Sequence, residues 1–271
     1  MTVKLLLVGG GKMGSAMMAG WLKGNLSPDD VLVVEPFEET RKRLKDTIGV
    51  DSVADAAGIP ADAAPETIVL AVKPQMMGDA IADYARFAGP GCVFVSIAAG
   101  KTIDYFENNL GPEAAIVRAM PNTPAAVGRG ITVGYPNHLV TDAQRTWADE
   151  LLQSVGEVAW VDDEDKIDCV TALSGGGPAY VFLLVEVMAQ AGIDNGLPAD
   201  LAMQLARATV AGAGELLYQA PEEAATLRQN VTSPGGTTAE ALKVLMADDA
   251  LQPLMTKAIA AATKRSRELA G

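Results

Sequence analysis

The sequence predicts an α/β architecture in which a doubly wound parallel sheet is followed by an all-helical domain. The first half of the chain alternates short apolar runs, rich in Val and Ile, with helical patterns. Those runs are apolar throughout rather than at every second position, which fits strands covered by helices on both faces. After residue 162 no convincing strand follows, and the long Ala- and Leu-rich stretches carry helical spacing. The boundary is placed there, giving domains 1–162 and 163–271.

Strands are expected at 3–8, 31–35, 67–72, 92–98 and 115–119, with two more at 131–135 and 158–162. Helices are expected at 12–23 with Gly24 as the stop, at 38–47 ended by Gly49, at 75–87 ended by Gly89, and at 141–154. Alternation in this order implies right-handed βαβ crossovers. The second half reads as helices at 180–192, 198–218, 238–246 and 252–269, with Pro198 suited to a first helical turn. Leu183, Leu184, Val187 and Met188 share one side of a helix in a domain with no sheet to cover them. A core shared with a second chain is favoured over one completed within the chain. Gly212 and Gly214, set among alanines, would permit the close helix approach.

The 271 residues carry a formal net charge of −13, and 49% are hydrophobic. Global disorder is excluded, and the acidity argues against a nucleic-acid partner, whose phosphates need a basic footprint. With one histidine, His138, in a turn-like stretch, and two cysteines, Cys92 and Cys169, neither a His/Cys metal site nor a disulfide framework is expected. Leu5 to Val8 after Lys4 is too short for a signal peptide's apolar core. The longest uncharged stretch, 169–185, is interrupted by Gly175, Gly176, Gly177 and Pro178, so no membrane span is expected and a cytoplasmic protein is the default.

Gly9, Gly11 and Gly14 form G-x-G-x-x-G between the first strand and the helix that opens at Lys12 and Met13. The spacing supplies a tight turn, a close approach to a pyrophosphate and tight helix–strand packing, and the helix N-terminus offers unpaired N–H groups. Glu35 closes the second strand 21 residues after Gly14, close to the distance at which a carboxylate meets an adenosine ribose. The order strand, glycines, helix, strand, acid marks a Rossmann-like dinucleotide site. A carboxylate at Glu35 would accept from a free 2′-hydroxyl and repel a 2′-phosphate, so the reading leans to NADH. Arg41 and Arg43 read as a solvated helix face, with a phosphate partner as the alternative.

Ala71-Val72-Lys73-Pro74 and Ile97-Ala98-Ala99 end two further strands, at the edge where such sheets hold ligands. Arg118-Ala-Met-Pro-Asn-Thr-Pro124 reads as a stiff turn that would wall off a pocket. Three glycines in Ser174-Gly-Gly-Gly-Pro178 cost about 1 kcal/mol each in a helix, which suggests a kink or a close approach. Asn230-Val-Thr-Ser233-Pro-Gly-Gly236-Thr237-Thr238 reads as a flexible turn whose N–H groups, at a helix start, could cradle an anion. Thr237 or Thr238 would serve as the N-cap.

Taken together these motifs resemble the pyrroline-5-carboxylate reductases over nearly the whole chain, and the segments 118–124 and 233–238 are the most specific. The resemblance implies reduction of a cyclic imine to L-proline by NAD(P)H, a helical domain that interlocks two chains, and in some members a decamer of five dimers. It implies substrate contacts at Glu164, Ser233, Gly236, Thr237 and Thr238, with the Thr238 hydroxyl near the ring nitrogen as the catalytic group. It implies coenzyme contacts at Asn230 and along the glycine loop and strand ends already named. Two departures concern the coenzyme. Glu35 replaces a small residue that NADP-using relatives often carry, and Gly58 stands near the place of an adenosine-contacting Asn. The alternatives are a β-hydroxyacid or imine reductase on the same plan, and a nucleotide-binding regulator without catalysis.

Overall fold

In the computed structural model, which describes residues 3–24 and 26–270, the apolar runs become strands where expected. The first is β1 (Leu5–Val8), followed by helix α1 (Lys12–Trp21), β2 (Val31–Val34), α2 (Glu38–Ile48), β3 (Asp51–Val53) and β4 (Thr67–Leu70). Then come α3 (Met77–Ala80), β5 (Val93–Ser96), α4 (Ile103–Leu110), β6 (Ala115–Met120), β7 (Gly130–Pro136), α5 (Asp142–Gln153) and β8 (Gly156–Trp160). The rest is helical: α6 (Lys166–Val170), a π-helical turn (Thr171–Gly175), α7 (Gly177–Asp194), α8 (Ala199–Gln219), α9 (Ala224–Asn230), α10 (Thr237–Leu245) and α11 (Leu251–Ala270).

Among the described residues the strands form one eight-stranded sheet of order β3-β2-β1-β4-β5-β6-β7-β8. β1 to β6 are parallel, and the residues of β1, β2, β4 and β5 are all buried, as apolar strands covered on both faces must be. Two apolar clusters fill the two faces, one around Leu5, Leu7, Met17 and Val117, the other around Leu6, Ile68, Phe94 and Phe106. β7 departs from the expected parallel pattern and runs antiparallel to β6. The nine residues joining them hold only a 3-10 turn, Thr123–Val127, and are too few for a crossover.

The turn after β7 is held by Asn137, which is buried. Its Oδ1 accepts from Ile116 N at 3.1 Å, and its Nδ2 donates to Ala114 O at 2.9 Å and to Glu107 Oε1 at 3.0 Å.

Several local expectations are corrected. The single helix expected at 75–87 is a 3-10 turn (Pro74–Met76), the short α3 and a 3-10 stretch (Ile81–Phe87). Met77, Ile81 and Tyr84 are buried at spacings of four and then three, which the tighter helix accommodates. α1 ends at Trp21, before the Gly24 stop, whereas Gly49 does close α2 at φ +81°. β3, α4, α6 and α9 were not foreseen. β3 is three half-buried residues with no apolar run, while α4 carries a legible signal in Thr102, whose hydroxyl caps Tyr105 N, and in buried Ile103, Phe106 and Leu110.

The chain divides into two units, one running to Gly175 and joined by the segment from Ala262 onward, the other Gly176–Ala261. The change from strand to helix at residue 162 therefore precedes the break between units. α6 and the π-turn belong with the sheet. Arg118 on β6 pairs with Glu164, Asn122 Nδ2 donates to Ser174 O at 3.2 Å, and a side chain on Gly175 would lie 2.6 Å from Met120 Cε. The close approach suspected from the glycine run is real at Gly175. The stretch Lys166–Asp194 has a mean hydropathy of 1.4 and passes a length-and-composition test for a membrane span, with α6, the π-turn and α7 as its three pieces and Gly176 as the cap between the last two.

In the second unit the α7–α8 pair buries alanines: Ala189 on α7, Ala202 and Ala206 on α8. Phe182, Leu183, Leu184 and Val187 are 49–62% exposed.

Replacing Asn137 with Ala strands the buried N–H of Ile116 and carbonyl of Ala114. A loss of about 2–3 kcal/mol is expected, read as a lower denaturant midpoint with unchanged slope.

Candidate active site

The register sets the site. Val34, Val8, Leu70, Ser96 and Arg118 pair in one row across β2, β1, β4, β5 and β6. Glu35, Gly9, Ala71 and Ile97 therefore leave the sheet side by side at its carboxyl edge. β1 lies between β2 and β4, so the chain's direction of winding reverses there, the place where such sheets open a crevice for ligands.

Within the loop the three glycines have different reasons to be glycine. Gly9 sits at φ +103°, and a Cβ would lie 2.8 Å from Ala71 O; a Cβ on Gly14 would overlap Gly9 O. Both are required by the fold. A Cβ on Gly11 meets nothing within 4 Å, and its φ of −65° suits any residue. Nothing in the chain's own packing asks for glycine at Gly11, and the space beside it is open. Gly11 is also the N-cap of α1 and makes no side-chain capping bond, which leaves the first N–H groups of α1 for an anion.

Glu35 is 5% exposed. Its Oε2 accepts from Gly10 N at 2.8 Å and its Oε1 from Phe37 N at 3.0 Å, so the carboxylate fixes both the glycine loop and the entry to α2. Met13, Val72, Pro74 and Ile97 are half-buried, Ala98 is buried, and Lys12, Lys73 and Ala99 are exposed. All stand along the carboxyl edge or at the start of α1.

Behind β6 lies a charged cluster that sequence reasoning missed. Arg118, 3% exposed, donates from Nη1 to Glu164 Oε1 at 2.7 Å, and the same oxygen accepts from Ile103 N at 2.9 Å. Arg118 Nη2 is 3.9 Å from Asp168 Oδ1, which accepts from the Ser266 hydroxyl at 2.6 Å. Glu164, expected to touch substrate, thus has its Oε1 engaged by Arg118 and by α4. The available signal was a lone arginine in a buried strand, facing an acidic run at 162–165. Cys92 is buried and its thiol is pushed up to about 12, which makes it a packing residue; Cys169 and His138 are exposed.

In the helical unit, Asn230 is the last residue of α9 and is exposed. The stretch expected to be a flexible turn is therefore helical at its start. Gly235 takes a left-handed φ of +68°, and Gly236 is the N-cap of α10, with its N–H donating to Ser233 O at 3.0 Å. The cap is thus neither Thr237 nor Thr238. These are the first two residues of α10, both exposed, and the first bond of the helix runs from Glu240 N to Gly236 O. The N–H groups of Thr237, Thr238 and Ala239 precede that bond and are available to an anion, with the Thr238 hydroxyl beside them.

A glycine loop with open N–H groups at the switch point of a doubly wound sheet, followed by a helical unit, is the plan of the dinucleotide-binding oxidoreductases. The family model for an NADP oxidoreductase, coenzyme F420-dependent, matches residues 4–100, and that for pyrroline-5-carboxylate reductase dimerisation matches 164–269. The pyrroline-5-carboxylate reductase of Pseudomonas aeruginosa is 38% identical over 99% of this chain and 97% of its own length. That of Synechocystis is 37% identical over 99% of each. The structure of the Coxiella burnetii enzyme superposes with a TM-score of 0.92 at 34% identity over all of both chains. The Plasmodium falciparum enzyme, solved with NADP bound, gives 0.80 at 28% identity over 99% and 98%. The chain belongs to the pyrroline-5-carboxylate reductase family.

Gly11→Val fills the open space and leaves the fold alone. Dinucleotide affinity is expected to fall about 100-fold, roughly 2.8 kcal/mol at 1.4 kcal/mol per decade, with an unchanged melting temperature; calorimetric titration and thermal unfolding read the two.

Proposed function

We propose that this chain reduces 1-pyrroline-5-carboxylate to L-proline with NAD(P)H, the last step of proline biosynthesis, as a cytoplasmic homo-oligomer. The observation that carries the reading is Gly11, a glycine that the chain's own packing does not require, in a family whose relatives bear this activity in their names.

Gly9, Gly11, Gly14, Lys12 and Met13, with the edge residues 71–74 and 97–99, are proposed to hold the coenzyme, and Asn230 to contact it. The bound nicotinamide supplies a hydride. The N–H groups of Thr237 and Thr238, at the turn that Ser233 and Gly236 shape, are proposed to fix the substrate carboxylate. In the reaction a C–H bond forms at the imine carbon, the C=N π pair moves to nitrogen, and the nitrogen carries a proton into the product amine. The substrate can arrive protonated as an iminium, so a strong acid in the protein is unnecessary, in keeping with one exposed histidine. Orientation supplies much of the rate, worth about 7–11 kcal/mol at best. Thr238 is proposed to orient the ring nitrogen. Glu164, paired with Arg118, acts on substrate only through the oxygen that Arg118 leaves free.

The exposed face of α7 is proposed to pack against a second copy, in a dimer that can assemble five-fold into a decamer. Each large apolar residue buried there contributes about 1.5–3 kcal/mol.

Oxidation of NADH or NADPH on addition of 1-pyrroline-5-carboxylate tests the reading. Rapid turnover is expected; its absence, with turnover of a β-hydroxyacid or another imine, would overturn the substrate assignment. Thr238→Ala should lower kcat at least about tenfold, equivalent to 1.36 kcal/mol, with little change in melting temperature because Gly236, not Thr238, caps α10. Full activity would remove Thr238 from the reaction. Sedimentation equilibrium at micromolar concentration should give twice the chain mass or an even multiple; a monomer would refute the shared helical face.

A further inference from the structure

We propose that Arg118 is a positioning residue for the reaction: it holds Glu164 by one carboxylate oxygen, and Ser266 keeps it there by occupying the competing carboxylate of Asp168. The inference rests on the reductase reading, in which the other oxygen of Glu164 acts on the substrate.

Two elements hold Glu164 at the same oxygen. Oε1 accepts from Arg118 Nη1 on β6 at 2.7 Å and from the N–H of Ile103, the first residue of α4, at 2.9 Å. The carboxylate cannot rotate without losing both bonds, and Oε2 is the oxygen left over. The Glu164 side chain is 24% exposed and that of Arg118 only 4%, so the carboxylate sits between a buried guanidinium and solvent. Ile103 follows closely on the edge residues 97–99, and its N–H ties the carboxylate to that edge of the sheet.

Arg118 has a second carboxylate within reach. Asp168 Oδ1 lies 3.9 Å from Nη2, too far for a hydrogen bond. Nε and Nη2 are buried and donate to nothing among the described residues. Buried donors are costly to leave unpaired, and a charge-assisted bond to a carboxylate this near would relieve the cost. Ser266 stands in the way: it is 6% exposed, and its hydroxyl donates to the same Oδ1 at 2.6 Å. Its neighbour Arg267 has Nε 4.0 Å from Oδ2. Asp168 is thereby drawn toward α11, and the guanidinium is left to Glu164. The end of α11 also packs on the edge loop. Gly100 takes φ +71°, and a Cβ there would lie 3.3 Å from Leu269 O. The last turns of α11 thus set both the loop after residues 97–99 and the partner that Arg118 takes.

The test is steady-state kinetics of the full chain with 1-pyrroline-5-carboxylate and NADH or NADPH, with a melting temperature for every variant. Ser266→Ala should lower kcat/KM for the imine at least about fivefold and leave the KM of the coenzyme unchanged. Adding Asp168→Asn should restore it to within about twofold, because a neutral amide competes poorly for the guanidinium. Arg118→Lys keeps the charge but not the forked donors, and should lower kcat/KM at least about tenfold. In a Glu164→Gln background neither Ser266→Ala nor Arg118→Lys should cost more than about a further twofold, since both act through Glu164. If Arg118→Lys does not fold, the Ser266 variants decide alone. Unchanged kinetics in Ser266→Ala, a loss that Asp168→Asn does not restore, a fully active Glu164→Gln, or losses that multiply in the Glu164→Gln background each overturn the proposal, because the cluster would then only hold the fold together. A parent protein that turns over no imine overturns the reductase reading itself; turnover by the parent with any of those outcomes overturns this proposal alone.

Discussion

Gly9 and Ala71 approach so closely that a side chain on Gly9 would lie 2.8 Å from Ala71 O, and the geometry of the first unit follows from that approach. With β1 and β4 locked by Ala71 N donating to Val8 O at 2.8 Å, the chain must turn at Gly9 and start α1 at once. The N-terminus of α1 is thereby fixed at the row where β2, β4 and β5 also end. Gly10 N, turned toward β2, meets the Glu35 carboxylate, which adds a charge-assisted hydrogen bond across the same gap. A loop built this way needs no mobile part. Its N–H groups are held by the sheet register.

The second constraint is Arg118. An arginine in a buried strand is expensive unless paired, and removing one partner of such a pair costs about 3–5 kcal/mol. Here the partners come from beyond the sheet. Glu164 lies just before α6, Asp168 lies within it, and Ser266, bonded to Asp168, comes from the C-terminal half of α11. Satisfying one charge thus draws two distant pieces of chain onto β6. That explains why the sheet unit reaches Gly175 and recovers the residues after Ala262, although the composition already turns helical at residue 162. The arginine's Nε and Nη2 still lack hydrogen bonds, so the cluster is held by charge more than by geometry.

What was legible in the sequence was what repeats with a period. Apolar runs buried on both faces, long helical stripes and the glycine fingerprint all came through, because each depends on local pattern. What was illegible depends on partners far away in the chain. The antiparallel turn of β7 follows from a connection too short to cross over. β3 has no apolar run because it is a three-residue, half-buried strand. Glu164 could be placed at a site by resemblance, yet only the structure shows its pairing with a residue 46 positions earlier. For Glu35 the residue type suggested a ribose acceptor, and the backbone N–H groups that engage it are invisible to a pattern. The residues named for the candidate site fall at the carboxyl edge of the sheet and at the start of α10, and the partners of its charged members are visible only in the geometry.

The helical unit shows why small residues can decide an assembly. Ala189, Ala202 and Ala206 let α7 and α8 meet closely, with a Cβ on Gly192 only 3.3 Å from Ala202 Cβ. Alanine contacts remove little apolar area from water, so this pairing contributes modestly to stability. The same rotation of the helices turns Phe182, Leu183, Leu184 and Val187 outward. Burying the half of each of these four side chains that is still exposed is worth roughly 3–7 kcal/mol, comparable with the low end of a domain's net stability, about 5–15 kcal/mol. The alanine seam therefore sets the direction of the apolar face, and the face holds most of the stabilisation still to be gained. Docking of this face on a second copy, as proposed above, would make folding and assembly of this unit one energetic event, with stability tied to protomer concentration.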